Sequence, residues 1–429
     1  MPPLKVLIIG ASIAGPTTAY WFAKAGAHVT LIERFPALRT SGQNIDIRSA
    51  GVTVMRKMPG MEAAVRANSA DIDGVSFVGE DGRPFATMRA TGSAEQQGLV
   101  SEYEILRGDL GRVLYGMTEE NERVRYVFGE QVVAMRHGEE GEDGPVTVEF
   151  ANGLPTAEYD LVVACDGAHS RTRAMALNCG VRGHITPLNV WAAYFSISRD
   201  LLQGSKIGQG FSSTGGRFLA VGPDPHSHVN RVTFMKVYPR GSEDATLPFR
   251  EAAKRGTDAV KQYISNVYRD VGWKTREVLE GMMEADDFYT SEAVKVKVPI
   301  LYKGRVALVG DAGTAPGFTG TGTTLALVGG YLLAGEVGCR HKGDLAAGLA
   351  AYDERMRPIV KEMQQQPPGI PWVMAPQTRF GIRLRNWLIA VVCWVMASRL
   401  SSMFAWVGQL LGSAFGKDTY GLPEYEWEA

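Results

Sequence analysis

The N-terminal stretch "VLIIGASIAGPTTAYWFAKAGAHVTLIER" restricts the fold of this chain more than any other feature. An apolar strand, Val6–Ile9, runs into Gly10, and a helix is predicted from about Ile13 to Ala25, where Gly26 ends it. A second strand follows over His28–Ile32. A strand, a glycine turn and a helix in this order form either a phosphate-binding cradle or the nucleophile elbow of a hydrolase.

The spacing of the glycines and of one acidic residue favours the cradle. An elbow requires G-x-S-x-G, whereas Ala14 stands at the final position after Ser12. A dinucleotide cradle requires a glycine for close helix packing and an acidic residue about 20 positions further on, at the end of the second strand. Gly15 and Glu33 meet these requirements, and Ser12 replaces the usual middle glycine with a small hydroxyl. The residues predicted to line this cradle are Gly10, Ser12, Ile13, Gly15 and Glu33.

Length, net charge and cysteine content limit the classes of protein to which this chain can belong. The chain has 429 residues, which predicts two or three domains, and its net charge of -1 provides no field that would attract nucleic acid. Its four cysteines are widely separated, so we expect neither a disulfide framework nor a zinc site. The first apolar run is too short for a signal peptide, and we predict a reduced, cytoplasmic protein.

Two later stretches also end a strand in a polar turn. "DLVVACDGAHSRTR" (160–173) ends its strand at Asp166-Gly167. "GRVALVGDAGTAPGFTGTGTTLAL" (304–327) ends its strand at Gly310-Asp311, and a glycine-rich loop then begins a long apolar helix. Elsewhere, "SEYEILRGDLGRVLYGM" (101–117) and Leu247–Val271 are predicted to be helical, and the segment between about 185 and 239 alternates as strands do.

The order and spacing of the three turns resemble the FAD-dependent monooxygenases of the aromatic-hydroxylase type, the para-hydroxybenzoate hydroxylase-like family, over about residues 4–363. This resemblance implies an α/β fold with a Rossmann-like FAD-binding domain, an inserted β-sheet domain for substrate and a C-terminal helical segment. The chain departs from the family pattern in "GDAGT", and Phe318 stands where a proline is usual. The predicted boundaries are 1–70 with 90–184 and 286–375 for FAD, 71–89 with 185–285 for substrate, and 376–429 for the helical segment.

The resemblance also implies roles for individual residues. Asp311 would bind the ribityl chain of FAD, and amides of the following loop would face the flavin pyrimidine edge. Asp166 would support both FAD and a passing NAD(P)H. Arg107 would contact the cofactor, although a surface ion pair with Asp109 or Glu104 is the alternative reading. Further cofactor contacts are implied for Arg34 beside the adenine, and for Gly320, Gly322 and Thr323 in the loop. Beside the ring the implied contacts are Gln43, Asn44, Asp46 and Arg48, and solvated loop charges are the alternative reading for Asp46 and Arg48.

The implied reaction uses NAD(P)H and O2 to hydroxylate or epoxidise a hydrophobic aromatic, polycyclic or olefinic secondary metabolite, through a flavin C4a-hydroperoxide. Such a species needs an apolar, dry cavity, which we expect on the strands near 191–197, 211–219 and 233–238. A phenolic substrate would need a base, and the candidates are Tyr194, Arg217 and Tyr238. His226 and His228 lack a third ligand, so no metal is expected.

The C-terminal segment carries two apolar runs, "WLIAVVCWVMA" (387–397) and "LSSMFAWVGQLL" (400–411). The first is apolar on every face but shorter than the roughly 20 residues that span a bilayer. We therefore expect a helix pair that packs on the body and roofs the cavity. Contact with a membrane surface is the alternative.

Four other functions compete with the monooxygenase. A flavin-dependent halogenase shares the fold, but "PWVMAP" (371–376) is not its W-x-W-x-I-P motif. A flavin oxidase or dehydrogenase would make no hydroperoxide. A non-catalytic flavoprotein held at a membrane by its C-terminal segment is a third alternative. A hydrolase with Ser12 as nucleophile is the fourth.

Overall fold

The computed structural model describes residues 2–39, 42–69, 72–89, 103–137, 144–224, 229–365, 370–397 and 420–428. Predictions that concern His226, His228 and the run 400–411 lie outside these residues. The strands are β1 Lys5–Ile9, β2 His28–Glu33, β3 Asn44–Asp46, β4 Gly74–Val78, β5 Pro84–Arg89, β6 Glu104–Leu106, β7 Val124–Phe128, β8 Val132–His137, β9 Val146–Phe150, β10 Ala157–Tyr159, β11 Leu161–Ala164, β12 Ile185–Ile197, β13 Ile207–Ser213, β14 Arg217–Pro223, β15 Asn230–Val237, β16 Tyr289–Val296, β17 Tyr302–Lys303 and β18 Val306–Leu308.

Helices connect and cover these strands. They are α1 Ala14–Lys24, α2 Ala50–Arg56, α3 Met61–Ala67, α4 Arg107–Gly116, α5 Arg171–Ala176, α6 Leu247–Lys254, α7 Thr257–Tyr268, α8 Thr275–Glu284, α9 Asp311–Thr314, α10 Gly322–Gly335, α11 Leu345–Met363, α12 Ile370–Met374 and α13 Arg379–Ala397. A π-helical turn, Glu336–Arg340, continues α10. In the described parts of the chain, no helix combines the length and apolar character needed to cross a bilayer.

The first sheet has the order β17-β18-β11-β1-β2-β7, and its members from β18 to β7 run parallel. Its central strands are buried on both faces, as their continuous apolar sequences predict. Helices α1 and α10 cover one face, where Gly330 allows close approach: a Cβ there would lie 2.9 Å from Thr18 Oγ1. Because parallel strands end at the same edge, the turns after β1, β11 and β18 emerge side by side.

The second sheet has the order β16-β12-β15-β14-β13-β4-β5. One face packs under α6, α7 and α8, where the Trp191 and Phe249 rings stack with centroids 5.1 Å apart. The other face meets α12 and α13, with Phe77, Ala192 and Met235 in the same apolar cluster as Trp372. The sheet includes β16, which the predicted boundary assigned to the FAD-binding part.

Two predicted helices differ in the structure. Within 101–117, Glu104–Leu106 forms β6 because it pairs with β3, and the helix begins only at Arg107. The helix predicted over Leu247–Val271 is two helices, because Gly256 between them has φ +106°. This is a left-handed conformation that glycine adopts readily and that a continuous helix does not allow.

Residues 420–428 pack against the helices that cover the first sheet. Tyr425 Oη donates to Glu336 Oε1 at 2.7 Å, and the Trp427 ring lies 4.7 Å from that of Trp21. Glu336 is fully buried and also pairs with Arg355 at 2.7 Å. Residues 420–428 are therefore anchored on the helices that cover the first sheet, whereas α13 packs on β5 and β13 of the second sheet.

Candidate cofactor and substrate site

The three turns predicted from the sequence meet at one edge of the first sheet. A Cβ built on Gly10 would lie 2.6 Å from the Cys165 carbonyl oxygen, so the first turn touches the second. A Cβ on Gly310 would lie 2.9 Å from the Ala14 Cβ, so the third turn touches the start of α1. This convergence, which the sequence could only imply, brings the three turns into contact with one another at a single edge of the sheet.

The first turn has the geometry of a cradle. Gly10 has φ +108°, and a Cβ on Gly15 would lie 1.9 Å from the Gly10 carbonyl oxygen. The packing role predicted for Gly15 is therefore visible in the backbone. Ser12 Oγ accepts a hydrogen bond from Arg107 Nη2 at 3.0 Å. A guanidinium only donates hydrogen bonds, so Arg107 cannot accept the proton of the Ser12 hydroxyl. This contact therefore gives no support to a hydrolase with Ser12 as nucleophile.

Two helices present uncapped amides to this edge. No side chain caps α1, which begins after Ile13, or α10, which begins after Thr321, and neither has an acidic residue in its first turn. By contrast, Ser170 caps α5 and Asp344 caps α11. Free N-terminal amides and the helix dipole favour bound negative charge, so the two ends suit a pyrophosphate and an anionic ring.

A cleft at the ends of β1 and β2 is lined by Ala11, Ser12, Glu33, Leu38, Arg39, Arg107 and Gly111. Glu33 accepts N–H bonds from Ala11 at 2.8 Å and from Phe35 at 3.1 Å. These two bonds fix the carboxylate at the rim of the cleft. Arg34 is exposed and lies 4.9 Å above the Phe35 ring.

Arg39 is a cleft residue that the sequence reasoning missed. Its guanidinium lies 4.8 Å from the Tyr289 ring centroid and 5.1 Å from that of Phe35. Burial lowers the pKa of Arg39, and the nearby charge of Arg107 lowers it further. Two arginines in one cleft form a strong anion site. The available signal was a second arginine shortly after Glu33 in "ERFPALRT" (33–40).

Arg107 does not form the surface ion pair that was its alternative reading. Asp109 pairs with Arg112, and Glu104 accepts from Asn44. Arg107 instead reaches Ser12 and, at 3.5 Å, the Tyr289 hydroxyl. Its position therefore links the first turn to the second sheet.

The third turn carries Asp311 and the glycine-rich loop. The Asp311 side chain is open to solvent, although the dense protein around it raises its pKa and Arg107 opposes that rise. A Cβ on Gly322 would lie 3.6 Å from Asp311 Oδ1, so the loop folds back over this carboxylate. Gly320 has φ +74°, and Thr323 is buried at the start of α10.

The 42–48 loop lies against the beginning of α10. Thr324 Oγ1 donates to the Arg48 carbonyl at 2.9 Å, and the buried Arg48 guanidinium pairs with Asp46 at 2.9 Å. Asp46 is therefore paired rather than solvated. Gln43 Oε1 is buried without a hydrogen-bond partner in the described protein. An unsatisfied buried acceptor is costly, so it indicates a donor supplied by a bound group.

Glu104 is a second residue whose role the sequence reasoning missed. It faces Asp46 across the β3–β6 pair and accepts from Asn44 Nδ2 at 2.9 Å. Burial and the charge of Asp46 raise the pKa of Glu104 to about 7. Strand pairing creates this carboxylate pair, so nothing local in the sequence could have revealed it.

Asp166 organises its own loop. Its carboxylate accepts from Ser170 Oγ at 2.5 Å and from Thr172 Oγ1 at 3.0 Å. These bonds fix the shape of the second turn, and the Cys165 carbonyl just before it lies against Gly10. A direct contact between Asp166 and FAD or NAD(P)H stays a prediction.

The structure brings one of the three candidate bases near the cleft. The Tyr194 ring stacks on Tyr289 at 6.3 Å, and Tyr289 contacts both cleft arginines. Arg217 pairs with Asp270 on the helix-covered face, and Tyr238 Oη bonds Tyr263 Oη at 2.8 Å on the same side. The described contacts of Arg217 and Tyr238 therefore lie away from the cleft, and a role for either as a base stays a prediction. Burial raises the pKa of Tyr194, which favours the protonated hydroxyl, a hydrogen-bond donor, over the phenolate that a base would require.

Comparison with known proteins identifies the family. The family described as "FAD binding domain" matches residues 3–367. The chain belongs to this FAD-binding family. It is 34% identical to the FAD-dependent monooxygenase asL4 of Sarocladium schorii, covering 95% of this chain and 96% of that protein. It is 31% identical to the flavin-dependent monooxygenase eupH of a Phoma species, covering 89% and 90%.

Solved structures agree with the sequence relatives. The crystal structure of tetracycline destructase Tet(51) superposes with a TM-score of 0.76 at 25% identity, covering 99% of this chain and all of that one. The structure of Klebsiella pneumoniae HpxO with FAD and uric acid superposes at 0.66 with 19% identity, covering 95% and 96%, which shows the fold alone. The predicted fold, cofactor and class of enzyme are confirmed: the protein is an FAD-dependent monooxygenase.

FAD fits the residues present. Gly10 and Gly15 allow the tight turn before α1, the uncapped ends of α1 and α10 favour bound negative charge, and Gln43 Oε1 is a buried acceptor without a partner in the described protein. These three features come from different segments of the chain. A single ligand can contact all three features only if it is extended and carries both a phosphate group and a polar ring.

Proposed function

We propose that the protein uses NAD(P)H and O2 to hydroxylate or epoxidise a hydrophobic aromatic, polycyclic or olefinic secondary metabolite. When bound, FAD supplies the reduction of O2 and the transfer of one oxygen atom. The protein's own contribution is to hold FAD across the three turns, to exclude water and to orient an apolar substrate.

We infer the cofactor contacts from the positions of the turns. The α1 end, with Gly10, Ser12 and Ile13, would face the pyrophosphate, while Glu33 and Arg34 would lie at the adenosine side. Arg39 would join Arg107 as a second cation for the phosphates. The remaining contacts would be Asp311 with the ribityl chain, and Gln43, Asn44, Arg48, Gly320, Gly322 and Thr323 around the ring.

One observation carries the substrate proposal. Phe318, in the glycine-rich loop that would hold the ring, packs in the same apolar cluster as Tyr194, Phe77 and Met235 of the second sheet. The cluster also includes Trp372 from the α12 roof. An apolar cluster that joins the glycine-rich loop to the covered face of the second sheet favours a hydrophobic substrate over a charged one.

Tyr194 is proposed to orient the substrate. It lies between Tyr289 at the cofactor cleft and the apolar sheet face, and its protonated hydroxyl can donate to a substrate oxygen. The structural relative Tet(51) is named for tetracycline, a polycyclic compound, which supports a polycyclic substrate here. Removing the hydroxyl should raise KM or change selectivity and leave flavin reduction intact.

The decisive test is oxygen transfer. Purified protein should be yellow and should consume NADPH faster with the right member of a panel of polycyclic, phenolic, indole and olefinic compounds. Mass spectrometry should then find one atom of 18O from 18O2 in the product. Peroxide formed without incorporation would indicate an oxidase, and a halide-dependent product mass a halogenase. Either result would refute the proposal.

Matched tyrosine variants separate substrate orientation from stability. Tyr194→Phe should alter KM or product distribution, whereas Tyr263→Phe, on the helix-covered face, should not. Both variants should keep their flavin absorbance. Equal effects of the two substitutions would remove Tyr194 from the substrate site.

A further inference from the structure

One face of α13 is fixed to the protein. Ile389 lies in the apolar cluster of the second sheet, and Arg385 donates to the Met374 carbonyl at 3.2 Å. The Arg385 guanidinium also lies 5.6 Å from the Phe77 ring centroid. These contacts set the rotation of the helix, so they also set which residues point away from the sheet.

The opposite face is an apolar stripe that stays open. We call it the α13 stripe. Its members repeat every three or four residues, which places them on one side of a helix. They are Phe380, Leu384, Trp387, Leu388, Val391 and Trp394, with exposed fractions of 76%, 45%, 62%, 49%, 37% and 65%. Exposing two tryptophans and a phenylalanine on one helix is costly in water, so the stripe indicates a binding surface.

The charge around the stripe is of one sign. From Gln364 to Lys417 the sequence has no aspartate or glutamate and five basic residues, although the whole chain has a net charge of -1. Arg379 and Arg383, one turn apart beside the stripe, are exposed. A second copy of this segment would bring no carboxylate to pair with these arginines. Lipid phosphates and anionic headgroups carry the negative charge that can pair with them.

We propose that the α13 stripe binds in the headgroup region of an anionic lipid bilayer, with Arg379 and Arg383 on the lipid phosphates. Tryptophan favours this interface because its ring is apolar while its N–H stays wet, and basic side chains beside an apolar face add attraction to anionic lipids. The helix lies along the surface and does not cross it. In this orientation the helices α12 and α13, which cover one face of the second sheet, lie next to the bilayer, where hydrophobic compounds dissolve.

Vesicle sedimentation tests the proposal without any turnover. Full-length, FAD-loaded protein is mixed with vesicles of phosphatidylcholine alone, or of phosphatidylcholine with an equal part of phosphatidylserine. Binding should be stronger to the anionic vesicles and should weaken with salt. Trp387→Ser with Trp394→Ser should reduce the partition coefficient by about tenfold or more. Arg379→Gln and Arg383→Gln should each cost about fivefold on anionic vesicles only.

Control variants keep the test specific. Leu247→Ser with Met283→Ser removes exposed apolar side chains from α6 and α8 and should leave binding unchanged. Flavin absorbance and melting temperature report folding in every variant. No sedimentation with either vesicle would overturn the proposal. So would a dimer that the Trp387 and Trp394 substitutions dissociate, or binding lost only with Phe404→Ser and Trp406→Ser, which would assign the contact to the following segment.

Discussion

The partly buried carboxylate pair between β3 and β6, Asp46 and Glu104, makes a quantitative prediction about pH. Glu104 should hold a proton in the folded protein up to about pH 7, because burial and the facing Asp46 raise its pKa from 4.5. Between these values the folded state binds more protons than the unfolded state, so stability falls as pH rises. Above about pH 7 both states are ionised, and the loss is complete.

The magnitude follows from that rise in pKa. At about 1.4 kcal/mol per pH unit, a change from 4.5 to about 7 costs up to about 3 kcal/mol of unfolding free energy at alkaline pH. Glu104→Gln keeps an oxygen that can accept from Asn44 and removes the charge that faces Asp46. The variant should therefore resemble the wild type at about pH 5 and exceed it by up to about 3 kcal/mol at pH 8.

Thermal unfolding at several pH values provides the assay. For a chain of 429 residues, a gain of about 3 kcal/mol corresponds to a rise in Tm of about 3 °C at pH 8, with no comparable gain at pH 5. Glu120→Gln, at an exposed glutamate, controls for the loss of one carboxylate. A Tm difference that stays constant between pH 5 and 8 would refute the reasoning, as would a variant that is less stable at pH 8.

Three other predictions concern the cradle, the third turn and the chain end. Gly15→Ala should abolish FAD retention, because its Cβ would meet the Gly10 carbonyl at 1.9 Å; the absorbance ratio of flavin to protein measures this. Asp311→Ala should lower FAD occupancy more than Glu33→Ala does, and dialysis followed by fluorescence of released flavin would rank them. Tyr425→Phe should destabilise the protein by about 2 kcal/mol, since it removes a hydrogen bond to the buried Glu336 carboxylate. A Tm equal to that of the wild type would contradict this.

The site could be predicted where its chemistry is local. Gly10, Gly15 and Glu33 belong to one strand-turn-helix-strand unit, so their spacing alone reports the cradle. Asp311 and the loop that follows it form a similar unit at the end of β18. The structure adds the contact of Ser12 with Arg107, which explains how a serine serves at a position that glycine usually occupies.

Residues that gain their role from distant pairing could not be predicted. Glu104 reads as part of a helix until β6 pairs with β3, which also brings Asp46 opposite it. For Arg39 the sequence offers a local signal, an arginine shortly after Glu33, but its contact with Tyr289 of β16 forms only in the tertiary structure. Both of these contacts join segments far apart in the chain, so local spacing does not report them.

The sequence by itself determined that three glycine-containing turns follow strands, that a cofactor with phosphate is bound, and that the middle of the chain forms strands. Strand alternation also showed that the second sheet has two faces, but the tertiary structure decided which one helices α6 to α8 cover. That choice places Tyr194 toward the cleft and Tyr238 away from it. Periodicity sets the direction of a side chain relative to its own strand, whereas the neighbours on each face depend on how the whole chain packs.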